Sequence, residues 1–123
     1  MNQTILVVED DPELLDLLRE LLQLKNYTVL SAVSGADAMK VWEKNFEQID
    51  LVLTDLTLPD GMTGVALAAK ILARKPDSKV IYSSGYAADA AVTKYSIPKG
   101  SSFLQKPFLP EVLWKMVEAR LNA

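Results

Sequence analysis

Neither cysteine nor histidine occurs among the 123 residues. Without cysteine there can be no disulfide, thiolate metal site or sulfur nucleophile. Without histidine there is no Ser-His-Asp triad, no His-ligated zinc and no imidazole base, and the chain has no phosphohistidine of its own to offer. A cationic excess is missing too: 13 Lys+Arg face 16 Asp+Glu for a net charge of −3, which argues against nucleic acid, whose phosphates demand a basic face. No apolar run approaches the ~20 residues of a membrane span. No cationic leader precedes the first strand-like run, so no signal peptide is expected and a cytoplasmic location is the default. Any chemistry must rest on carboxylates, Lys, Arg, Tyr, hydroxyls or the backbone.

What is present is a core-forming composition, half hydrophobic and about a quarter charged, at a length suited to a single domain over residues 1–123. Two periodicities alternate. Thr4-Ile5-Leu6-Val7-Val8 is a β-branched apolar run of the kind buried on both faces of a parallel sheet. Asp11-Pro12-Glu13 reads as an N-cap with proline at the first helical position. Leu14, Leu17, Leu18, Leu21 and Leu22 then form an expected inward stripe. Tyr27 to Ala32 is a second strand, and Ser34-Gly35 opens a helix carrying Ala38, Met39, Val41, Trp42 and Phe46. A third strand runs from Ile49 to Leu53 and ends at Asp55; a loop rich in Pro, Asp and Gly leads to a helix over Val65 to Ala73. Val80-Ile81-Tyr82, a helix over 87–95, Phe103-Leu104 and a last helix from Pro110, with Leu113, Met116, Val117 and Leu121 inward, complete the alternation. The spacing also predicts core positions for Trp42, Phe46 and Trp114.

Five strands each followed by a helix imply an α/β fold with a doubly wound parallel sheet, right-handed crossovers and helices on both faces. Ligands of such sheets bind at the carboxyl ends of the strands. Those ends carry Glu9-Asp10-Asp11, Asp55, Ser83-Ser84 and Lys106. Two carboxylates ~4 Å apart repel by about 4 kcal/mol at an effective dielectric near 20, so a cluster must protonate or recruit a cation. A hard divalent ion with oxygen ligands, Mg2+ by preference, is the simplest answer. A metal and a lysine around an ionised carboxylate suit phosphoryl transfer, which asks for alignment and neutralised charge, with the carboxylate itself as nucleophile.

Four segments in order, Ile5-Leu6-Val7-Val8-Glu9-Asp10-Asp11, Thr54-Asp55-Leu56-Thr57-Leu58-Pro59, Tyr82-Ser83-Ser84-Gly85-Tyr86 and Phe103-Leu104-Gln105-Lys106-Pro107-Phe108, resemble the response-regulator receiver domain of the CheY-like signalling fold over essentially the whole chain. The resemblance implies a flavodoxin-like sandwich of five strands in the order 2-1-3-4-5. It implies that Asp55 is the phosphoacceptor. Glu9, Asp10, Asp55 and the backbone carbonyl of Thr57 would hold Mg2+, Asp10 directly and Glu9 through water. Lys106 would contact the phosphoryl oxygens, with a cis Lys106–Pro107 peptide. Ser84 would be the switch hydroxyl, Gly85 would leave room for the phosphoryl group, and Phe103 would be the rotating switch aromatic. The implied partners are a histidine kinase or histidine phosphotransfer protein as donor, and an output partner on the fourth helix, fifth strand and fifth helix. The chain would promote its own phosphorylation and dephosphorylation, while a parent hybrid kinase would be the protein kinase. Glu9 stands where Asp is commoner and Ser84 where Thr is commoner, and both keep the chemistry. The span from Pro59 to Gly64 is one residue longer than usual and, with Ser84-Gly85-Tyr86 and Leu104-Gln105-Lys106-Pro107-Phe108, is most similar to receivers of hybrid sensor histidine kinases.

Plainer readings stand beside these. Asp11 is better read as a helix cap, and Glu9 with Asp10 alone suits cap or site equally. A lone Asp55, Lys106 or Ser84 is an ordinary polar residue at a strand end; it is their joint placement at four strand ends that points to a site. Phe103 is expected at an interface, and Tyr95 is open between interface and core. A competing enzyme class is an Mg2+-dependent phosphohydrolase with an aspartyl nucleophile, but that chemistry wants a second acid where Thr57 stands. A flavodoxin-like nucleotide binder would suffer phosphate repulsion from Glu9-Asp10-Asp11, and a phosphorylation-independent interaction module is the remaining alternative.

Overall fold

The computed structural model describes residues 2–98 and 100–123. Strands and helices alternate along the chain: β1 Thr4–Val8, α1 Pro12–Leu24, β2 Thr28–Ala32, α2 Gly35–Asn45, β3 Ile49–Asp55, α3 Gly64–Arg74, β4 Val80–Ser84, α4 Ala88–Tyr95, β5 Ser102–Gln105 and α5 Pro110–Leu121. The five strands form one sheet in the order β2-β1-β3-β4-β5, every neighbouring pair parallel. Strand order reverses beside β1, so the chain winds outward in both directions, and the crevice where ligands bind such sheets lies at the carboxyl ends of β1 and β3.

The alternation of side chains along β1 explains both faces. Ile5 and Val7 join Leu51, Leu53 and Ile81 under α1 and α5, through Leu15, Leu18, Leu22, Leu113, Val117 and Leu121. Leu6 and Val8 point the other way, to Ala38, Trp42, Leu67 and Ile71 of α2 and α3. A third cluster of Leu56, Ala68, Val80, Tyr82, Ala91 and Ile97 holds α4 against β4. Each fully buried Leu, Ile or Val contributes about 1.5–3 kcal/mol of transfer free energy, which fixes the central strands as the rigid base of the site.

Helix starts follow local chemistry. Asp11 Oδ1 accepts the Glu13 N–H at 3.1 Å ahead of Pro12, Ser34 Oγ accepts that of Asp37 at 3.0 Å, and Thr63 Oγ1 that of Ala66 at 3.1 Å. Helix α4 has only 8 residues and no side-chain cap. At the start of α3 a side chain is excluded, since a Cβ on Gly64 would overlap the Asp55 carbonyl oxygen.

Three sequence expectations need correction. The inward face of α1 is Leu15, Leu18 and Leu22, with Leu14 and Leu21 at its margins and Leu17 46% exposed. At 100° per residue, Leu17 stands about 160° from Leu15 and roughly 130° from the middle of the stripe that 15, 18 and 22 define. Phe46 is not core: it lies just past α2, 37% exposed, with its ring tilted against Trp42 at 5.5 Å. Trp42 is buried, whereas Trp114 is half-buried and spends its indole N–H on the Leu21 carbonyl at 2.8 Å.

Replacing Leu18 with Ala is therefore expected to lower stability by about 2–5 kcal/mol, and Leu17→Ala by less than ~1 kcal/mol, in equilibrium urea denaturation. Equal losses would contradict this facing of α1.

Candidate functional site

Three strand ends converge on one cation. Glu9 follows β1 and is still tied into the sheet, its N–H donating to the Ala32 carbonyl at 3.0 Å. Asp55 closes β3, where its neighbour Leu56 continues the ladder by donating to Ser83 at 3.0 Å. Lys106 follows β5 and donates its backbone N–H to Ser84 at 2.8 Å. From these fixed backbones the Lys106 Nζ donates to Glu9 Oε1 at 2.7 Å and to Asp55 Oδ2 at 3.2 Å. The other Glu9 oxygen accepts the Asp11 N–H at 3.1 Å. Asp10 is exposed, and carboxylate oxygens of Glu9, Asp10 and Asp55 all lie within 4.8 Å of one another.

Burial sets the electrostatics. The Glu9 side chain is 4% exposed, and loss of water pushes its carboxyl above the ordinary range despite the Lys106 and Asp11 donors, with Asp55 adding repulsion. Burial also works against the Lys106 ammonium, but the bonds and charges of Glu9 and Asp55 outweigh it and the lysine is held above its usual value. Three clustered carboxylates against one lysine leave an excess of negative charge. Oxygen donors of this number and hardness fit Mg2+.

The remaining sequence candidates surround this centre. Ser84 is buried at the end of β4, and its Oγ accepts the Tyr86 N–H at 3.1 Å. A Cβ on Gly85 would meet no atom within 4 Å, so the surface there is open. The Lys106–Pro107 peptide is cis. Thr57 is exposed in the loop after β3, bridges to Thr63, and shares a 2.8 Å hydrogen bond between its hydroxyl and that of Tyr95. Phe103 is half-buried on β5 beside Tyr82 and packs, as Tyr95 does, against the cluster under α4. Tyr95 is thus neither purely core nor purely surface: it joins α4 to the loop after Asp55.

Sequence reasoning passed over two features. Lys94 donates to the Tyr86 hydroxyl at 2.7 Å and lies 4.7 Å from that ring's centroid, so the residue after Gly85 forms part of a polar rim with Tyr95. Asp60, in a stretch that reads as a turn, reaches the start of α2. The carboxylate's destination leaves no local pattern, because its partners lie 24 and 25 residues away.

A parallel five-stranded sheet of this order with acids and a lysine at its carboxyl edge defines a CheY-like receiver architecture. The family model for the response regulator receiver domain matches residues 5–118, and the chain belongs to that family. Among curated relatives, the sensor kinase CckA of Brucella abortus is 35% identical over 98% of this chain and 13% of its own length. The response regulator receiver protein CpdR of the same organism is 32% identical, over 97% of each chain. The chain spans only 26% of the transcriptional regulatory protein GlrR of Escherichia coli, at 37% identity. Among solved structures, a receiver protein from Sinorhizobium medicae superposes with a TM-score of 0.87 at 30% identity, covering 99% of this chain and 96% of that one. The receiver domain of the hybrid histidine kinase CckA gives 0.80 at 30% identity, covering 96% and 98%. Among the described residues no helix is long and apolar enough to cross a membrane.

Removing one acid from the cluster relieves repulsion. Asp10→Asn is expected to raise metal-free stability by about 1 kcal/mol, measured by urea denaturation in EDTA. Mg2+ is expected to raise the melting temperature of the parent chain through preferential binding to the folded state, and that of Asp10→Asn not at all. A variant less stable in EDTA than the parent would contradict the repulsion.

Proposed function

We propose that this chain is the phosphoacceptor of a two-component phosphorelay, receiving a phosphoryl group on Asp55 from a phosphohistidine of a histidine kinase or histidine phosphotransfer protein. The observation that carries the reading is the Lys106 ammonium held 3.2 Å from an Asp55 carboxylate that ends a central strand among further acids. In the transfer, an Asp55 oxygen attacks phosphorus, the P–N bond breaks, and the donor imidazole keeps the electron pair and gains a proton. Lys106 turns its ammonium toward the incoming phosphoryl oxygens, where a compact positive charge stabilises the transition state. Glu9, Asp10, Asp55 and the Thr57 carbonyl are the residues that would hold Mg2+. The ion, when bound, neutralises phosphoryl charge and favours in-line alignment. Hydrolysis by water at phosphorus returns the Asp55 carboxylate and inorganic phosphate, so the chain promotes both steps without being a kinase.

Ser84 Oγ already accepts from Tyr86, which leaves its own hydroxyl proton free for a phosphoryl oxygen. Drawing Ser84 toward Asp55 opens space on β4 beside Phe103, whose half-buried ring turns inward and alters the face of α4, β5 and α5 offered to an output partner. Beside Lys106, Leu14, Leu17, Pro107 and Phe108 line a groove with Asp11 and Glu13 at its edge, and Leu109 and Val112, which follow Phe108 in the chain, are exposed; this largely apolar surface near the acceptor suits the donor's helices. The likeness to CckA supports an origin in a hybrid kinase. A phosphohydrolase role is less favoured, because the position that needs a second acid is Thr57 and its hydroxyl is engaged by Tyr95.

Intact mass after incubation with acetyl phosphate tests the reading: one Mg2+-dependent phosphoryl adduct is expected, absent from Asp55→Asn. Equal modification of Asp55→Asn would sink it. Leu17→Glu is expected to slow transfer from a phosphohistidine donor at least roughly tenfold, as loss of a central interface contact of 1.4 kcal/mol or more implies, while leaving acetyl phosphate reactivity unchanged. Equal slowing with both donors would remove the groove from the docking face.

A further inference from the structure

The loop over residues 56–63 joins Asp55 to α3 and carries Thr57. Its first half is anchored in the core by buried Leu56 and Leu58. Its apex, Pro59-Asp60-Gly61, is exposed, and Gly61 turns through a positive φ of 83°. An exposed apex of this kind is ordinarily mobile. Here it is tied to a different element. Asp60 Oδ1 accepts the Gly35 N–H at 3.3 Å and Oδ2 accepts that of Ala36 at 2.8 Å. The next residue but one, Met62, packs so closely on Gly35 that a Cβ there would lie 2.7 Å from its sulfur.

These bonds complete a helix end. The first N–H groups of a helix have no intrahelical acceptor. In α2 the Asp37 N–H goes to Ser34 Oγ and that of Ala38 to the Ser34 carbonyl, so the helix's own cap serves the later positions. The earlier two, Gly35 and Ala36, are served from the loop after β3. A carboxylate at a helix N-terminus also meets the positive end of the dipole. The Asp60 carboxyl is held below its usual range, chiefly by the Ala36 N–H. Geometry and charge agree that this is a clasp between a loop and a helix, laid on a turn that the Gly61 N–H closes on the Leu58 carbonyl at 3.3 Å.

We propose that Asp60 is a positioning residue for the acceptor site: by fastening the loop apex to the N-terminus of α2, it fixes the Thr57 backbone beside Asp55 and thereby sets the affinity for Mg2+. Buried Leu56 and Leu58 fix where Thr57 sits and the bridge to Thr63 ties its backbone across the neck of the loop; the peptide planes between those two residues, which help to set the Thr57 carbonyl, run through the clasped apex. The proposal rests on the reading of Thr57 as a metal ligand.

The test compares Asp60→Ala and Asp60→Asn with Ser34→Ala, which removes a cap from the same helix end without touching the loop. Amide hydrogen exchange of the metal-free chains and Mg2+ affinity by calorimetry are the readouts. Asp60→Ala is expected to speed exchange across residues 56–64 and to weaken Mg2+ binding roughly 3- to 10-fold, less than the 10- to 100-fold typical of groups bonded directly to a ligand. Asp60→Asn, which keeps one accepting oxygen, should fall between this and the parent, and Ser34→Ala should change neither readout despite a lower melting temperature. Unchanged Mg2+ affinity in Asp60→Ala, or equal weakening in Ser34→Ala, would overturn the proposal. A parent chain that binds no Mg2+ would instead remove the metal reading on which it stands, a failure visible before any variant is compared.

Discussion

The ammonium of Lys106, lodged between Glu9 and Asp55, ties together the ends of three strands whose residues lie 97 and 51 apart in the chain. Every other feature of the site answers to that contact. Glu9 tolerates burial because a cation and a backbone N–H meet its two oxygens. Asp55 stays at the edge of the same charge, with Asp10 exposed beside it. Removing one partner of a buried pair usually costs more than the pair contributes, so the cluster holds together as a unit. What makes it possible is the parallel sheet, whose carboxyl edge points all these strand ends in one direction.

Around this rigid centre the rim is built more lightly. Helix α4 is short, lacks a side-chain cap, and closes through Ser96 in a left-handed conformation. Its contacts with the site are polar: Tyr95 to Thr57, and Lys94 to Tyr86. Such elements sit at the low-stability end of a fold and are the natural place for a rearrangement driven by a small change in charge. The side formed by α2 is different, since the loop after β3 is fastened there by two hydrogen bonds and a packed methionine. A receiver that switches needs both: a firm seat for the acceptor and a compliant face for the partner.

Most of the fold was legible because its signals are local. Asp11-Pro12, Ser34 and the apolar strand runs mark boundaries through capping and periodicity, and these do not depend on the rest of the chain. The facing of α1 departs from the expected stripe because leucines at 14, 15, 17, 18, 21 and 22 fill an arc of about 160°, wider than the face that is buried, and only packing against the sheet selects 15, 18 and 22. Phe46 misled for a related reason: helical spacing continued its pattern one step beyond the end of α2.

The sequence by itself determined the alternation of strands and helices, the identities of the residues at the strand ends, and membership of the receiver family, because periodicity, caps and motif order are written along the chain. Only the tertiary structure decided which partners those residues meet. That Lys106 pairs with Glu9 rather than standing in solvent, that Tyr95 reaches Thr57, and that Asp60 crosses to α2 are contacts between segments distant in the chain. Their geometry is set by sheet order, twist and loop length together, and no local pattern of residues encodes a distance across the fold.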